Sequence, residues 1–397
     1  MRVKQSTPHV MMVVGNIPGL NTGKGGHYYS VKEIASELNQ HFSIDVVVLG
    51  DAIPEALTGH PRLKWIECGQ TPTPGVLKRI KNHLTEMKPD VIHCMDSSSL
   101  LFLRLANKSY RIPICWTKCG GRTLSYYTPR GAPDIVFHRD DLELYHSKGF
   151  KPLLIPNRFR IPQQATQPSP MSHNDSLRIV RISRICDKYK DGLDKTIQFY
   201  HAMRSRFPGT TLDIIGFPED SGVLSHLRNL AGEGEQVQFL TDRDLTREAS
   251  RHLPNYHIAV ASGRSAMEAI SYGLPTFITP LSSPGPVLAS AKTIDAMMAA
   301  NFSERAQVLE TMEDAVTAIA SLLTDRMAAQ TYKEWTNDIY KNHISVEAAV
   351  DQYRSFYNNV IKQGYLESIF DLAKHFISFQ SALLIRTAIN YRRTRTS

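Results

Sequence analysis

The feature that most constrains the fold of this chain is the alternation of short, continuous apolar runs with longer stretches of helical periodicity. Residues 9–14 read His-Val-Met-Met-Val-Val, a helical pattern covers about residues 28–40, and a second apolar run covers 44–49. Strands that are apolar along their whole length, with helices between them, are typical of parallel sheets covered on both faces. Further runs at 90–94 and 112–117 continue the pattern, which predicts a parallel α/β sheet.

The composition changes after residue 156, and residues 161–175 hold three prolines and almost no aliphatic side chains. We interpret 161–176 as a linker, because the alternation of strands and helices resumes at Leu177. A chain of 397 residues also exceeds what one hydrophobic core usually organises, so two domains are expected. The predicted boundaries are 1–160 for an N-terminal domain, 161–176 for the linker, 177–345 for a C-terminal domain, 346–364 for a helix that returns towards the N-terminal domain, and 365–397 for an amphipathic basic helix.

Composition narrows the class of protein. Hydrophobic residues at 42% and charged residues at 21% are ordinary for a globular chain, and the net charge of +8 favours anionic partners. Nucleic acid is disfavoured as a partner, since the chain has no stripe of basic residues interleaved with aromatic ones. Five cysteines without zinc-ligand spacing indicate a reducing compartment. The apolar run at 10–14 is too short for a secretion signal and no run is long enough to span a membrane, so we expect a cytoplasmic protein.

A glycine-rich loop, Gly15–His27, joins the first predicted strand to the first predicted helix. Backbone amides at a helix N-terminus bind anions, so this loop predicts phosphate binding. It lacks both the glycine spacing and the Lys-Ser/Thr pair of a P-loop, which disfavours a P-loop kinase. The alternative is a loop whose glycines only permit a tight turn.

A second turn-and-helix block covers residues 261–275, Ala-Ser-Gly-Arg-Ser-Ala-Met-Glu-Ala-Ile-Ser-Tyr-Gly-Leu-Pro. A glycine turn after an apolar strand opens a short helix, and Gly-Leu-Pro ends this helix before another strand. The one acidic side chain of the helix, Glu268, lies on its first turns, where a carboxylate can accept hydrogen bonds from a ribose diol.

The block at 261–275 resembles the nucleotide-sugar helix of glycosyltransferase family 4, the retaining GT-B enzymes. Other blocks similar to that family follow in the expected order: the Gly25-Gly26 loop, Pro89-Asp-Val-Ile-His93, Ile155-Pro-Asn157, Arg181-Ile-Ser-Arg184 and Lys190-Asp-Gly192. The resemblance covers about residues 9–360. It implies a GT-B fold of two Rossmann-like domains facing each other across a cleft, a nucleotide-sugar donor as substrate, and no metal or other cofactor.

The resemblance also implies roles for the matching residues. Arg184 and Lys190 would hold the donor diphosphate, and Glu268 would hold the ribose. Gly25 and Gly26 would contact phosphate or the acceptor. Positive charge and backbone amides are independently what a departing nucleoside diphosphate needs. The predicted donor site comprises Arg184, Lys190, Gly263, Arg264, Ser265 and Glu268.

Alternatives to these roles stay open. Arg184 and Lys190 could form an ordinary solvated basic face, and Lys188 could replace Lys190. The family commonly shows two glutamates eight positions apart, whereas the position eight before Glu268 is Val260. Because of this departure, the resemblance does not identify the residues that contact the donor sugar. We expect the turn around Arg264 to occupy the vacated space and to address a phosphate or an acidic sugar.

Two groups of residues in the first domain are further candidates. His93 and Asp96 stand at the end of a predicted strand, and either could orient an acceptor hydroxyl as a catalytic residue. The alternative is a structural histidine. Lys118, Gly120 and Gly121 follow the next strand and could hold an acceptor phosphate; the alternative there is a βα turn with surface charges.

A D-x-D pattern, Asp242-Arg-Asp244, matches the metal-binding motif of a different transferase fold. A helical stretch follows it directly, so helix capping is the predicted role. No metal site is predicted.

The C-terminal segment from Tyr365 shows apolar residues at helical spacing and ends in Arg392-Arg393-Thr-Arg395. Its charge-free part, 375–385, is too short to cross a bilayer. The helix could lie on an anionic membrane surface or pack back on the first domain. The predicted apolar positions are Leu366, Ile369, Phe370, Ala373, Phe376, Ile377, Leu384, Ala388 and Tyr391.

These patterns together predict a glycosyltransferase that moves a hexosyl or related group from a nucleotide sugar to a glycan or lipid-linked acceptor. The family resemblance implies that the transfer proceeds with net retention at the anomeric carbon. The expected setting is the cytoplasm, at the inner face of a membrane, in the synthesis of a bacterial capsule, lipopolysaccharide or other surface polysaccharide. A nucleotide-sugar epimerase on a related fold and a non-catalytic glycan- or nucleotide-binding partner are the alternatives. No nucleic acid is expected as a partner.

Overall fold

The computed structural model describes residues 7–17, 26–119, 134–161, 176–247, 249–366 and 368–395. The chain divides into two compact units, one formed by Met1–Arg158 with Ala349–Ser397 and the other by Phe159–Ala348. Nearly all of the predicted linker lies outside the described residues.

The first unit contains a seven-stranded sheet with the order β3-β2-β1-β4-β5-β6-β7, in which all neighbouring strands are parallel. The order reverses between β1 and β4, and ligands of open α/β sheets bind outside the carboxyl ends of the strands at such a point. The strands are β1 (His9–Asn16), β2 (Ser43–Gly50), β3 (Leu63–Glu67), β4 (Val91–Cys94), β5 (Ile114–Lys118), β6 (Asp134–Val136) and β7 (Leu153–Leu154). The helices between them are α1 (Gly26–Leu38), α2 (Pro74–Met87), α3 (Ser97–Asn107) and α4 (Arg139–Ser147).

The apolar runs predicted as strands are confirmed as β1, β2, β4 and β5. In β1 and β2 every residue after the first is buried, because helices cover both faces of the sheet. No strand is predicted from the sequence at β3. That strand lies at the edge of the sheet and exposes Lys64, Trp65 and Glu67, so it lacks the continuous apolar run of a central strand.

The second unit contains a six-stranded sheet with the order β10-β9-β8-β11-β12-β13, in which only the last pair is antiparallel. Its order reverses between β8 and β11. The strands are β8 (Arg178–Ile182), β9 (Thr211–Ile215), β10 (Val237–Leu240), β11 (Ile258–Ala261), β12 (Thr276–Ile278) and β13 (Val287–Leu288). The helices are α5 (Lys190–Arg206), α6 (Ser221–Ala231), α7 (Arg243–Arg247), α8 (Arg264–Ser271), α9 (Ile294–Ala299), α10 (Met312–Thr324) and α11 (Arg326–Ile339).

Alternate residues of the second sheet enter two hydrophobic clusters. Val260 of β11 packs with α5, α6 and α10, whereas its neighbours Ala259 and Ala261 pack with α8 and α9. Short 3-10 segments and one π-helical turn complete the described secondary structure: Glu55–Leu57, Asp187–Tyr189, Ala249–Asn255 and Glu347–Ala349, with the π-helical turn at Tyr340–Ile344.

Two helices at the end of the chain, α12 (Val350–Gln363) and α13 (Ile369–Arg395), belong to the first unit. Helix α13 packs against α3, and the rings of Phe102 and Phe379 meet edge to face at 6.4 Å. The packed side of α13 is not the apolar side that the sequence analysis identified. Of the predicted positions, Phe370 and Ile377 are exposed, whereas Leu372 and Phe379 enter the core. None of the described helices is long and apolar enough to span a membrane.

Candidate functional site

The strand order of the second sheet reverses between β8 and β11, and predicted donor residues follow both strands. Only Ser262 and Gly263 separate β11 from α8. The Ser265 hydroxyl lies 3.2 Å from the carbonyl oxygen of Ile182, at the end of β8, which ties the start of α8 to that strand. The structure thus brings four of the predicted residues together at this edge of the sheet: Gly263, Arg264, Ser265 and Glu268.

The N-terminus of α8 has the features of an anion site. Its N-cap residue is Gly263, with φ of 60° and ψ of −127°, a conformation that favours glycine over every other residue. Because the N-cap is a glycine, no N-cap side chain accepts a hydrogen bond from the first N–H groups of the helix. Those N–H groups carry the positive end of the helix dipole and can bind a phosphate.

Glu268 lies one turn further along α8 and is 8% exposed. The Nε–H of Arg264 donates to its Oε1 at 2.8 Å, and the Arg264 guanidinium stacks 5.2 Å from the ring centre of Phe159. Burial raises the pKa of Glu268, and the neighbouring Arg264 opposes that increase. A buried carboxylate with one oxygen held by arginine is therefore placed beside the start of the helix.

Arg184 follows β8 by two residues and is half-exposed. Its Nη1 donates to both carboxylate oxygens of Glu219, at 3.2 and 3.3 Å, and its Nη2 donates to the Tyr189 hydroxyl at 3.4 Å. The cation that was predicted to hold a donor diphosphate is thus present near the strand end, but it is paired with a carboxylate in this conformation.

Lys190 is directed elsewhere. As the first residue of α5, it donates to Asp194 Oδ2 at 3.0 Å, and Asp194 Oδ1 lies 2.9 Å from His226 Nε2 on α6. Among the described residues no hydrogen bond or ion pair joins Lys190 to α8 or to Arg184. Lys188 does not replace it at α8 either, since its Nζ lies over the Tyr189 ring at 5.2 Å.

A buried ion pair beside this site was missed by the sequence analysis. Arg181 of β8 is fully buried, and its guanidinium donates to Glu304 Oε1 at 3.3 Å, to Thr279 Oγ1 at 3.2 Å and to Ser262 Oγ at 3.4 Å. Ser262 belongs to the turn before α8, so the hydrogen bond from Arg181 joins that turn to β8. The signal in the sequence was an arginine inside the apolar run of a strand.

The glycine of the block Lys190-Asp-Gly192 has a structural reason. A Cβ atom at position 192 would collide with Glu304 Oε1 and Thr279 Oγ1, two partners of Arg181. The glycine therefore lets the start of α5 approach the buried ion pair closely.

The absent first glutamate also has a structural explanation. Val260 is fully buried inside β11 and pairs in register with Arg181. Because the turn between β11 and α8 is only two residues long, the position eight before Glu268 falls within the sheet. A glutamate at 260 would lie in the apolar cluster and could not reach a ligand at the strand ends.

His93 is not placed as predicted. Its side chain has no exposed surface, its Nδ1 lies 2.7 Å from the Tyr357 hydroxyl, and its Nε2 lies 2.7 Å from Thr117 Oγ1. Burial lowers the pKa of His93 to about 3, so the ring is neutral. The structure therefore places His93 in the core beneath α12, as the alternative of a structural histidine implies, and its catalytic role stays a prediction.

Asp96 is the N-cap of α3. Its Oδ1 accepts from the Ser99 amide at 2.8 Å, and its Oδ2 accepts from the Gly15 amide at 2.6 Å. It therefore ties the end of β1 to the segment after β4, at the point where the first sheet reverses its order. Asp96 thus holds the segments after β1 and β4 together, and the catalytic role predicted for it stays a prediction.

Lys118, predicted to hold an acceptor phosphate, is paired with a carboxylate. It is buried and donates to Asp141 Oδ2 at 2.8 Å, and His138 Nε2 lies 3.2 Å from the same oxygen. An acceptor phosphate would have to compete with Asp141 for this cation. Gly26 begins α1, whereas Gly25, Gly120 and Gly121 lie outside the described residues.

The D-x-D pattern caps a helix, as predicted. Asp242 precedes α7, and its Oδ1 accepts from the Asp244 amide at 2.8 Å. Within the described ranges, no group of three or more His, Cys, Asp and Glu side chains is arranged to hold a metal ion.

Comparison with known proteins gives a likeness in fold. No family model matches the chain, and no curated protein matches it. The structure of HepE from Anabaena with UDP and glucose has a TM-score of 0.61 at 14% identity, over 87% of this chain and 99% of that one. A glycosyltransferase from Rickettsia africae has a TM-score of 0.63 at 13% identity, over 90% and 99%. The UDP-GlcNAc 2-epimerase of Neisseria meningitidis, bound to UDP-GlcNAc, has a TM-score of 0.50 at 14% identity, over 89% and 100%.

At these identities the likeness concerns the fold, and the resemblance to glycosyltransferase family 4 stays a prediction. Both sheets have the 3-2-1-4-5 strand order of Rossmann-like domains, each with a reversal point where ligands bind. The chain therefore has the GT-B fold, built from two Rossmann-like domains.

Proposed function

We propose that this protein is a glycosyltransferase that moves a sugar from a nucleotide-sugar donor to a glycan or lipid-linked acceptor. The observation that carries the proposal is the edge of the second sheet between β8 and β11. There the N-terminus of α8 faces the strand ends, with the carboxylate of Glu268 one turn behind it and the cation of Arg184 on the neighbouring loop. Nucleotide sugars combine a diphosphate with a ribose diol, and this edge offers a group for each.

In the proposed complex the donor diphosphate lies against the first amides of α8, and Arg184 exchanges Glu219 for a phosphate oxygen. The ribose hydroxyls donate to Glu268. The Arg264 guanidinium donates to Oε1 and thereby favours the ionised form of that carboxylate against the effect of burial. The amides and Arg184 stabilise the negative charge that develops on the departing diphosphate.

The protein thereby holds the two substrates in register and stabilises the leaving group, and this part of the mechanism needs no protein base. Net retention at the anomeric carbon, the absence of a metal requirement, a cytoplasmic site of action and a role in capsule or lipopolysaccharide synthesis are proposed on the family resemblance. The acceptor is proposed to bind at the reversal point of the first sheet, where Asp96 joins the segments after β1 and β4.

An epimerase is the second candidate, because the UDP-GlcNAc 2-epimerase from Neisseria meningitidis shares the fold. Both enzymes would bind the donor at the second unit. An epimerase would return a nucleotide sugar with altered stereochemistry, whereas a transferase releases a nucleoside diphosphate and extends an acceptor.

The test is thermal stabilisation of the purified protein by UDP-, GDP-, ADP- and CMP-sugars, combined with product analysis. One nucleotide class should stabilise the wild type. Glu268→Gln and Arg184→Gln should weaken that effect. Arg354→Gln, which removes an equally exposed arginine in the first unit, is the matched control and should leave it unchanged. A folded protein that responds to none of these donors would contradict the proposal.

A further inference from the structure

Helix α13 is apolar on two sides. Its inner face, formed by Leu372, His375, Phe379 and Leu383, packs on the first unit and is at most 9% exposed. Its outer face, formed by Ile369, Phe370, Ile377, Leu384 and Ile385, is between 59% and 83% exposed.

The two faces point in opposite directions. Phe370, Ile377 and Leu384 follow one another at intervals of seven residues, so they form one line along the helix with a drift of only about 20° per step. Leu372 is two residues from Phe370, which is about 200° around the helix axis. The contact with α3 therefore leaves the outer face uncovered.

Single exposed apolar residues are normal on a protein surface, and Met327 on α11 is one of them. The outer face differs because five large apolar side chains share one side of a single helix. Large exposed apolar side chains clustered on one side of a helix mark an interaction site.

Charge indicates which partner the outer face takes. Residues 365–397 contain five basic residues against two acidic ones, and no acidic residue follows Asp371. The whole chain carries a net charge of +8. An anionic lipid surface complements this distribution, whereas a second copy of the chain would bring two segments of the same positive charge together.

We propose that α13 docks the protein on an anionic membrane and lies in the plane of that membrane. Its outer face enters the boundary between head groups and acyl chains, and its inner face stays packed on the first unit. Helices that bind membranes in this way combine an apolar face with basic residues and do not cross the bilayer. The proposal does not depend on the proposed transferase activity, since vesicle binding is measured without any substrate.

The experiment is flotation of the full chain with phosphatidylcholine vesicles, with and without phosphatidylglycerol. The wild type should float with the anionic vesicles, and raised salt should weaken its binding. Leu384→Glu and Ile377→Glu should each lower the partition coefficient about tenfold or more, because each removes one large apolar side chain from the boundary. Lys374→Gln should lower it about fivefold at low salt.

Met327→Glu is the control variant, because Met327 is a helical residue with 74% exposure in the second unit. It should float like the wild type. Equal thermal unfolding of all variants would show that they fold, as expected for substitutions at exposed positions.

Three results would overturn the proposal. The first is a wild type that does not float with anionic vesicles. The second is a Leu384→Glu variant that floats as well as the wild type. The third is a wild-type dimer in solution that Leu384→Glu converts to a monomer, without vesicle binding by either, which would identify a second copy as the occupant.

Discussion

Replacing Glu304 by glutamine should destabilise the second unit strongly, because it removes the charge that compensates the buried Arg181. The guanidinium of Arg181 has no exposed surface, and Glu304 is its one ionic partner among the described residues. Thr279 and Ser262 offer only neutral oxygens. Breaking a buried ion pair from one side costs about 3–5 kcal/mol, since the remaining charge stays in a medium of low polarity.

The directions of the pKa shifts show that burial dominates for both partners of the pair. Burial raises the pKa of Glu304 against the opposing effect of Arg181, and burial lowers the pKa of Arg181 against the opposing effect of Glu304. Desolvation therefore outweighs the attraction within the pair. Removing both charges together should cost far less than removing one, so Arg181→Met with Glu304→Leu should unfold close to the wild type or above it.

The assay is thermal unfolding of the wild type and of Glu304→Gln. The single variants Arg181→Met and Glu304→Leu and their double variant are measured in the same way. For a unit the size of residues 159–348, the expected loss in Glu304→Gln lowers the Tm of its transition by about 8–13 °C. Asp351→Asn, which breaks an exposed pair with Arg354, is the control and should produce no measurable change. A loss below about 1 kcal/mol in Glu304→Gln, or a double variant as unstable as the sum of the single ones, would refute the reasoning.

Three further predictions concern pH and helix capping. Donor binding should weaken as the pH falls through the pKa of Glu268, which burial raises, because a protonated carboxyl loses acceptor capacity; titration calorimetry should show this acid limb in the wild type and not in Glu268→Gln. Burial lowers the pKa values of His93 and His375 to about 3. The stability that each neutral histidine contributes to the folded state is therefore complete above pH 6.5 and is lost as the pH falls towards 3. At pH 5 the free energy of unfolding should be lower by about 2 kcal/mol per histidine. Urea unfolding at pH 7 and pH 5 should show a smaller acid loss in His93→Gln than in the wild type. Asp96→Ala should cost about 1 kcal/mol or more, because it removes the cap of α3 and the partner of the Gly15 amide, and Asp96→Asn should recover part of that loss in the same assay.

Much of the fold was predictable because its strongest determinants are local. Strands β1 and β2 are covered on both faces and must be apolar throughout, so they stand out as unbroken runs. The turn at Gly263 requires a residue that tolerates positive φ, and the helix after it must begin at once. The edge strand β3 was not predictable in this way, because half-exposed strands carry polar residues that resemble a loop.

The candidate site was predictable only in part. Residues within one turn and helix, such as Arg264 and Glu268, are brought together by helical spacing alone. The pairing of Arg184 with Glu219 depends on the loop after β9, the strand next to β8. The spacing of the two residues in the sequence does not predict that contact.

By itself, the sequence determined the two mainly parallel sheets, the glycine turn before α8 and the residues that share each helical face, since these follow from period, propensity and local sterics. Only the tertiary structure decided which of the available faces and polar groups become buried. His93 meets Tyr357 across 264 positions, Arg181 meets Glu304 across 123, and α13 turns Phe379 rather than Phe370 towards the core. The physical reason is that burial and partner choice depend on contacts between distant segments, and local patterns place no constraint on those contacts until the chain has packed.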